Sequence, residues 1–193
     1  MESICVVGSN STLGVFLCKK LQNYFDVIQS NSKNCDLLSN GSIYDFFSTI
    51  NSLHGLVYCA AVKTEADALQ DKNILSNIMQ VNLYGAIECL QLAIKKPKIK
   101  KIVVIGSADA TFGNYRKTMY SVSKAALHQY VKCFAAQVMS CGIEVICLVP
   151  GTIKNDNDRN AISDFILSFM KNDIRNINAQ LIRIDGGHHT FAL

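Results

Sequence analysis

The chain has 193 residues, 49% of them hydrophobic and 18% charged, with a formal net charge of +4. That length supports a full core in a single domain, and the composition excludes a disordered or fibrous chain. The mild positive charge comes without arginine–aromatic interleaving, which excludes a dedicated nucleic-acid surface.

Ser3 to Val7 is an apolar strand, and Met1-Glu2-Ser3 does not read as a signal peptide. The strand runs into Gly8-Ser9-Asn10-Ser11-Thr12-Leu13-Gly14, followed by an amphipathic helix to about Tyr24. Phe25 to Gln29 reads as a second strand. The polar run Ser30 to Asn34 is too short for a helix, and a short third strand is expected at Cys35 to Leu38. Ile43, Phe46, Phe47 and Ile50 line one face of a helix over Ser42 to Asn51. Gly55 to Ala61 is a buried strand, then a long helix is predicted from Lys72 to Lys95, closed by Pro97. The lysines at Lys95, Lys96, Lys98, Lys100 and Lys101 straddle that helix end and the next strand, so they read as a solvated terminus. Ile99 to Gly106 and Ile143 to Val149 are strands, with a second long helix, Tyr120 to Cys141, between them. Ile162 to Met170 is an apolar helix, and Leu181 to Ile184 a last strand before Asp185-Gly186-Gly187.

Strands alternating with helices imply an α/β fold: a doubly wound parallel sheet of about seven strands with helices on both faces. Ligands in such sheets bind beyond the carboxyl ends of the strands. The glycine loop, Ala60-Ala61, Ser107 and Pro150-Gly151 all fall there. Glycines between a first strand and a first helix let the backbone approach a pyrophosphate at the helix N-terminus. Tyr120 and Lys124 are related as i and i+4, so the phenol and the ammonium share a helix face. A phenol is a poor acid–base catalyst at neutral pH, and a nearby cation would lower its pKa. With Ser107 at the preceding strand end, the set points to proton delivery to a substrate oxygen.

The eight cysteines fall mostly inside apolar strands or helices and form no CxxC pair, which reads as reduced core thiols in a cytoplasmic protein. His188-His189 lack spaced partners and read as a surface pair, so no metal is expected. No apolar run approaches the length of a membrane span.

Over essentially its whole length the chain resembles the short-chain dehydrogenase/reductase family. The family's loop TGxxxGxG is met by Val7-Gly8-Ser9-Asn10-Ser11-Thr12-Leu13-Gly14, with Thr12 in place of the middle glycine. Its serine, tyrosine and lysine match Ser107, Tyr120 and Lys124, its catalytic asparagine matches Asn82, and its Pro-Gly and Asp-Gly-Gly match Pro150-Gly151 and Asp185 to Gly187. The resemblance implies a Rossmann-type oxidoreductase that interconverts a ketone or aldehyde and an alcohol. Tyr120 would be the general acid or base, and Ser107 would hold the substrate oxygen. Lys124 would lower the phenol's pKa and bond the nicotinamide ribose. Asn82 would anchor a water in a relay with Lys124.

NAD-preferring members carry an acid at the end of the second strand. Here that position is Asn31, followed by Ser32 and Lys33, so NADP(H) is preferred and NAD(H) is the alternative. Asp36-Leu37 resembles the family's adenine-contacting pair. Ile153 fits the position whose backbone meets the carboxamide, and Asn155 stands where a threonine is usual.

The chain also departs from the pattern. Asn-Asn-Ala-Gly becomes Tyr58-Cys59-Ala60-Ala61, and the stretch from Gly151 to Asp185 leaves almost no room for a substrate lid. A neighbouring subunit would then complete the cleft, or it stays open. Arg116 and Lys117 would guide an anionic or carrier-linked substrate, or are a solvated loop. Apolar faces on the two long helices imply a homodimer or homotetramer. Two other readings stay open: a catalytically idle nucleotide-binding scaffold or sensor, and non-redox chemistry such as dehydration or epimerisation.

Overall fold

The structure, a computed structural model, describes residues 1–63, 72–112, 114–172, 174 and 176–187. His188 and His189 lie outside the described residues. Six strands form one parallel sheet: β1 (Ser3–Val7), β2 (Asp26–Ser30), β3 (Gly55–Tyr58), β4 (Lys101–Ile105), β5 (Glu144–Pro150) and β6 (Leu181–Ile184). Their order across the sheet is β2-β1-β3-β4-β5-β6. Val7 is in register with both Ser30 and Tyr58, which sets the ends of the first three strands side by side.

The four central strands are rich in β-branched residues and almost wholly buried, as strands covered on both faces must be. Alternation along them sorts the core into two layers. Cys5, Val7, Leu56, Tyr58, Ile102, Val104, Val145 and Cys147 face one side. They meet α2 (Asn40–Ser48), α4 (Gly85–Ala93) and α6 (Thr118–Val138). Ile4, Val6, Val57, Val103, Ile105, Ile146 and Leu148 face the other side. They pack on α1 (Thr12–Leu21) and α7 (Asp156–Met170).

The third strand expected at Cys35 to Leu38 is a turn, so the sheet has six strands rather than seven. Parallel pairing needs a crossover of about a dozen residues, and here side chains fold the chain back at once. Asn34 Oδ1 accepts from the Asn31 amide at 2.8 Å, and Asn31 Oδ1 accepts from the Lys33 amide at 3.0 Å. Asp36 Oδ1 accepts from the Leu38 amide at 3.0 Å. β2 therefore lies at one edge of the sheet, and its residues are exposed or half-buried until Ser30.

The long helix predicted over 72–95 is α3 (Lys72–Met79) and α4, joined by a π-helical turn at Gln80–Tyr84. Such turns recur at functional sites, and this one contains Asn82. α7 begins at Asp156 rather than Ile162. Asn155 caps it by accepting from the Asp158 amide, and Asp158 reaches back to the Asn155 amide, a reciprocal box that starts the helix in polar sequence.

Beneath the sheet, Lys101 opens β4 with its side chain buried against Glu144 of β5 and its ammonium over the Phe169 ring at 4.4 Å. Removing one partner of a buried pair leaves a desolvated charge. Glu144→Ala is expected to cost about 2 kcal/mol in urea unfolding, discounted from the ~3–5 kcal/mol of a fully buried pair because Glu144 is 25% exposed. Lys101→Met, which removes the charge and keeps the stem, is expected to cost less than Glu144→Ala.

Candidate active site

The site lies where the strand order reverses, along the carboxyl ends of β1, β3, β4 and β5. β1 leads into the glycine loop. Gly8 has φ +87°, and a Cβ there would lie 2.5 Å from the Ala60 amide nitrogen. The Gly8 and Ser9 amides and the Ser9 hydroxyl all donate to the Ser30 carbonyl, which ties the loop to the end of β2. Ser11 caps α1, its hydroxyl accepting from the Gly14 amide at 3.0 Å. A Cβ on Gly14 would sit 2.2 Å from the Gly8 carbonyl oxygen, so the loop lies directly on the first turn of the helix. Asn10 and Thr12 are exposed, Leu13 is buried, and the helix N-terminus opens toward the cleft.

Two cavities of about 280 Å³ each flank this loop and share Ser11 and Ala61. One is bordered by Gly8, Ser30, Asn31, Ser32, Asp36, Leu37 and Ala60. The Ser30 hydroxyl is buried there with no hydrogen-bond partner among the described residues. The other is bordered by Ser107, Tyr120, Lys124, Pro150, Gly151 and Ile153, together with Lys63 and Asp109, which the sequence reading did not single out. An apolar slot, a glycine loop at a helix N-terminus and a polar chamber in series fit a dinucleotide. Lys33 is exposed and does not border the slot, and Asn155 faces a separate cavity beside Asp185.

Within the polar chamber, Tyr120 and Lys124 project from α6 as their spacing requires, both buried. Ser107 follows the end of β4, and its hydroxyl accepts from the Asp109 amide at 3.2 Å. Burial raises the Tyr120 phenol above its ordinary pKa, a hydrogen bond with Ser107 pulls it down, and Asp109 pushes it up. The Lys124 ammonium donates to the Ile105 carbonyl at 2.8 Å and stands 6.0 Å from the Tyr120 ring centre. Burial lowers the Lys124 pKa to about 8. The phenol, expected to be lowered by Lys124, is instead raised, with desolvation the largest cause. Lys63 also lies 5.8 Å from the same ring centre.

Asn82 is fully buried in the π-helical turn. Its Oδ1 accepts from the Val62 amide at 2.7 Å, while its Nδ2 donates to the Val62 carbonyl and the Ser123 hydroxyl, each at 3.0 Å. The side chain thus holds the segment after β3 against α6.

A family model described as short chain dehydrogenase matches residues 3–164. The chain belongs to the short-chain dehydrogenase family. It is 30% identical over 130 residues to carbonyl reductase family member 4 of Danio rerio, covering 64% of this chain and 55% of that protein. It is 27% identical over 164 residues to the 3-oxoacyl-(acyl-carrier-protein) reductase FabG of Buchnera aphidicola, covering 80% and 66%. The chain spans about half the length of the carbonyl reductases it matches. The enoyl-acyl carrier protein reductase of Bacillus cereus, solved with NADP+ and indole naphthyridinone, superposes with a TM-score of 0.85 over 100% of this chain and 98% of that one. At 16% identity that likeness is one of fold.

In this member of the short-chain dehydrogenase family, the residues that replace the paired asparagines have found other bonds. The Tyr58 hydroxyl donates to the Val81 carbonyl in the π-helical turn. The Cys59 thiol donates to the Val7 carbonyl at 3.1 Å. Both bridges tie β3 to its neighbours, a link the sequence alone did not reveal.

The buried lysine gives a pH signature. Between about 8 and its ordinary 10.5, the unfolded chain holds a proton that folded Lys124 has released. Lys124 therefore makes stability rise with pH in that window. Denaturant unfolding at pH 8 and pH 10 is expected to show the wild type gaining stability relative to Lys124→Met over that interval. A constant difference between the two would contradict the lowered pKa.

Proposed function

We propose that the chain is an NAD(P)(H)-dependent oxidoreductase that interconverts a ketone or aldehyde and an alcohol. The observation that carries this reading is the meeting of Ser107, Tyr120 and Lys124 in one chamber that continues into the glycine-loop slot. The names of the relatives, a carbonyl reductase and a 3-oxoacyl reductase, support a carbonyl substrate.

A nicotinamide held along Gly8, Ser9, Asn10, Ser11, Thr12, Leu13 and Gly14 and against Ala60, Ala61, Pro150, Gly151 and Ile153 would supply the hydride in reduction or take it in oxidation. Tyr120 gives its phenolic proton to the substrate oxygen in reduction, and the oxygen–hydrogen bond forms as the carbonyl π-bond opens. The reverse proton transfer serves oxidation. The Ser107 hydroxyl donates a hydrogen bond to the same oxygen as negative charge develops there. Lys124 keeps two hydrogens beyond its bond to Ile105 for ribose hydroxyls, and its charge opposes the cost of a Tyr120 phenolate. Asn82 keeps the Ala60–Val62 wall in place through its three hydrogen bonds to Val62 and Ser123.

Asn31 and Ser32 border the slot at the end of β2 without a carboxylate, which favours NADP(H) over NAD(H). Lys33, in the same exposed turn, would pair with a 2′-phosphate. Asp36 and Leu37 would border the adenine. The Ser107–Tyr120 connection carries an exposed Arg116 and a half-buried Lys117, which would suit a small or carrier-linked anionic substrate. Tyr84 and Val122 expose 55% and 47% of their surface on the segments carrying α4 and α6, consistent with a homodimer or homotetramer. The eight free cysteines suit a reducing cytoplasm.

Tyr120→Phe tests the chemistry. With NADPH and acetoacetyl-coenzyme A as the probe, turnover is expected to fall at least ~100-fold while NADPH binding is retained. If wild type and variant both bind NADPH and neither oxidises it against a carbonyl panel, the chain is a nucleotide-binding scaffold instead.

Asn31→Asp tests the cofactor reading. A carboxylate at this position repels a 2′-phosphate and accepts from a 2′-hydroxyl, so the ratio of NADP to NAD affinity is expected to fall by roughly tenfold or more in fluorescence titrations. An unchanged ratio would move the 2′-position away from the end of β2.

A further inference from the structure

β4 outruns β3 at the site. The register pairs Tyr58, the last residue of β3, with Val104, so the chain beyond has no strand on that side. On the opposite side the ladder continues: the Gly106 amide donates to the Leu148 carbonyl at 2.7 Å, and the Ala108 amide to the Pro150 carbonyl at 3.0 Å. Alternation leaves the Ile105 carbonyl and the Ser107 amide facing the side β3 has left. Two side chains one turn apart on α6 take those positions. Lys124 Nζ donates to the Ile105 carbonyl at 2.8 Å, and His128 Nε2 accepts from the Ser107 amide at 3.2 Å. Between them the chain passes so close to the imidazole that a Cβ on Gly106 would lie 2.2 Å from His128 Nε2 and 2.8 Å from Cys147 Sγ.

We propose that His128 is a positioning residue for the Ser107–Tyr120 pair, acting as a neutral hydrogen-bond acceptor that fixes the Ser107 backbone and thereby its hydroxyl. The inference rests on the reading of Tyr120 and Ser107 given under the proposed function. His128 itself borders neither of the two cavities. An acceptor at Nε2 requires the proton on Nδ1. Protonation would make both nitrogens donors, break the bond to Ser107 and set a second cation beside Lys124.

The environment holds the ring neutral. Burial comes first, and the charges of Lys124 and Lys132 on its own helix add to it, so the His128 pKa is lowered to about 4. From β5 it faces Cys147, whose thiol is pushed up to about 12 by burial and is uncharged. A carboxylate could also accept from Ser107, but it would be a counter-charge to Lys124. An amide or imidazole accepts without one.

The test compares His128→Gln, whose Oε1 can accept and does not titrate, with His128→Leu, which fills space and accepts nothing. Tyr120→Phe serves as the chemical control. With NADPH and acetoacetyl-coenzyme A at pH 7, His128→Leu is expected to lose about tenfold or more in kcat with NADPH affinity unchanged. His128→Gln is expected to stay within about threefold of wild type and to lose the fall in kcat that the wild type shows as pH drops toward 4. A readout independent of turnover comes from ¹⁵N-histidine NMR. It is expected to show His128 as the Nδ1–H tautomer, unprotonated at pH 5.5, with the Ser107 amide protected from exchange in wild type and His128→Gln but not in His128→Leu. Wild-type kcat and pH profile in His128→Leu, or an Nε2–H tautomer, would overturn the proposal. Full activity in Tyr120→Phe would instead overturn the reading of the site, and the tautomer and exchange data would still decide whether His128 holds Ser107.

Discussion

The site depends on a buried ammonium that is paired with no carboxylate among the described residues. Lys124 is 1% exposed, and its ammonium donates to the Ile105 carbonyl. A buried cation is costly unless dipoles replace its hydration. Here the replacement comes from a strand end, and that is available because β3 stops at Tyr58 while β4 continues. The length difference between two neighbouring strands therefore creates both the binding site for the ammonium and the opening through which a ligand can reach it. The apolar layer that α6 shares with the sheet holds it at the height where Lys124 and His128 meet that strand end.

The glycine loop obeys a similar division between what the fold needs and what a ligand needs. Gly8 and Gly14 are retained where a side chain would strike protein backbone, at Ala60 and at the Gly8 carbonyl. The glycine that is absent is the one replaced by Thr12, which is exposed. A substitution there meets solvent or ligand rather than the chain itself. The departure from the family loop thus leaves the fold of the loop intact and changes only the surface it presents. The same logic applies to Tyr58 and Cys59, which replace amide side chains and restore bridges with a hydroxyl and a thiol.

The central strands were legible because continuous apolar runs bounded by glycine, proline and polar residues have few other homes. The meeting of Ser107, Tyr120 and Lys124 was legible because helix periodicity and a strand end leave little freedom in where they point. What failed was decided by polar side chains acting locally. Asn31, Asn34 and Asp36 bond nearby amides and convert a short apolar stretch, Cys35 to Leu38, into a turn. Asn155 and Asp158 start α7 six residues before its apolar face begins to show at Ile162. The π-helical turn at Gln80–Tyr84 has no periodicity signal of its own, and Tyr58 reaching Val81 is a contact between elements distant in sequence. His128 was readable only as a polar residue one turn beyond Lys124. Its partner is a backbone amide, and sequence patterns do not specify those.

The brevity of the segment between β5 and α7 bears on how such a site can discriminate. Residues 151–155 pass from Pro150 directly to the capped start of α7, so the wall over the polar chamber is built from Pro150, Gly151, Thr152 and Ile153 themselves. A site with so little cover from the described residues would exclude water poorly, and solvent would weaken electrostatic effects inside it. Two features counter that. Tyr120, Lys124 and Ser107 are each buried to within a tenth of full exclusion, so these side chains sit below the rim. The rim itself carries Lys63 and Asp109, which bear opposite charges around the Tyr120 hydroxyl.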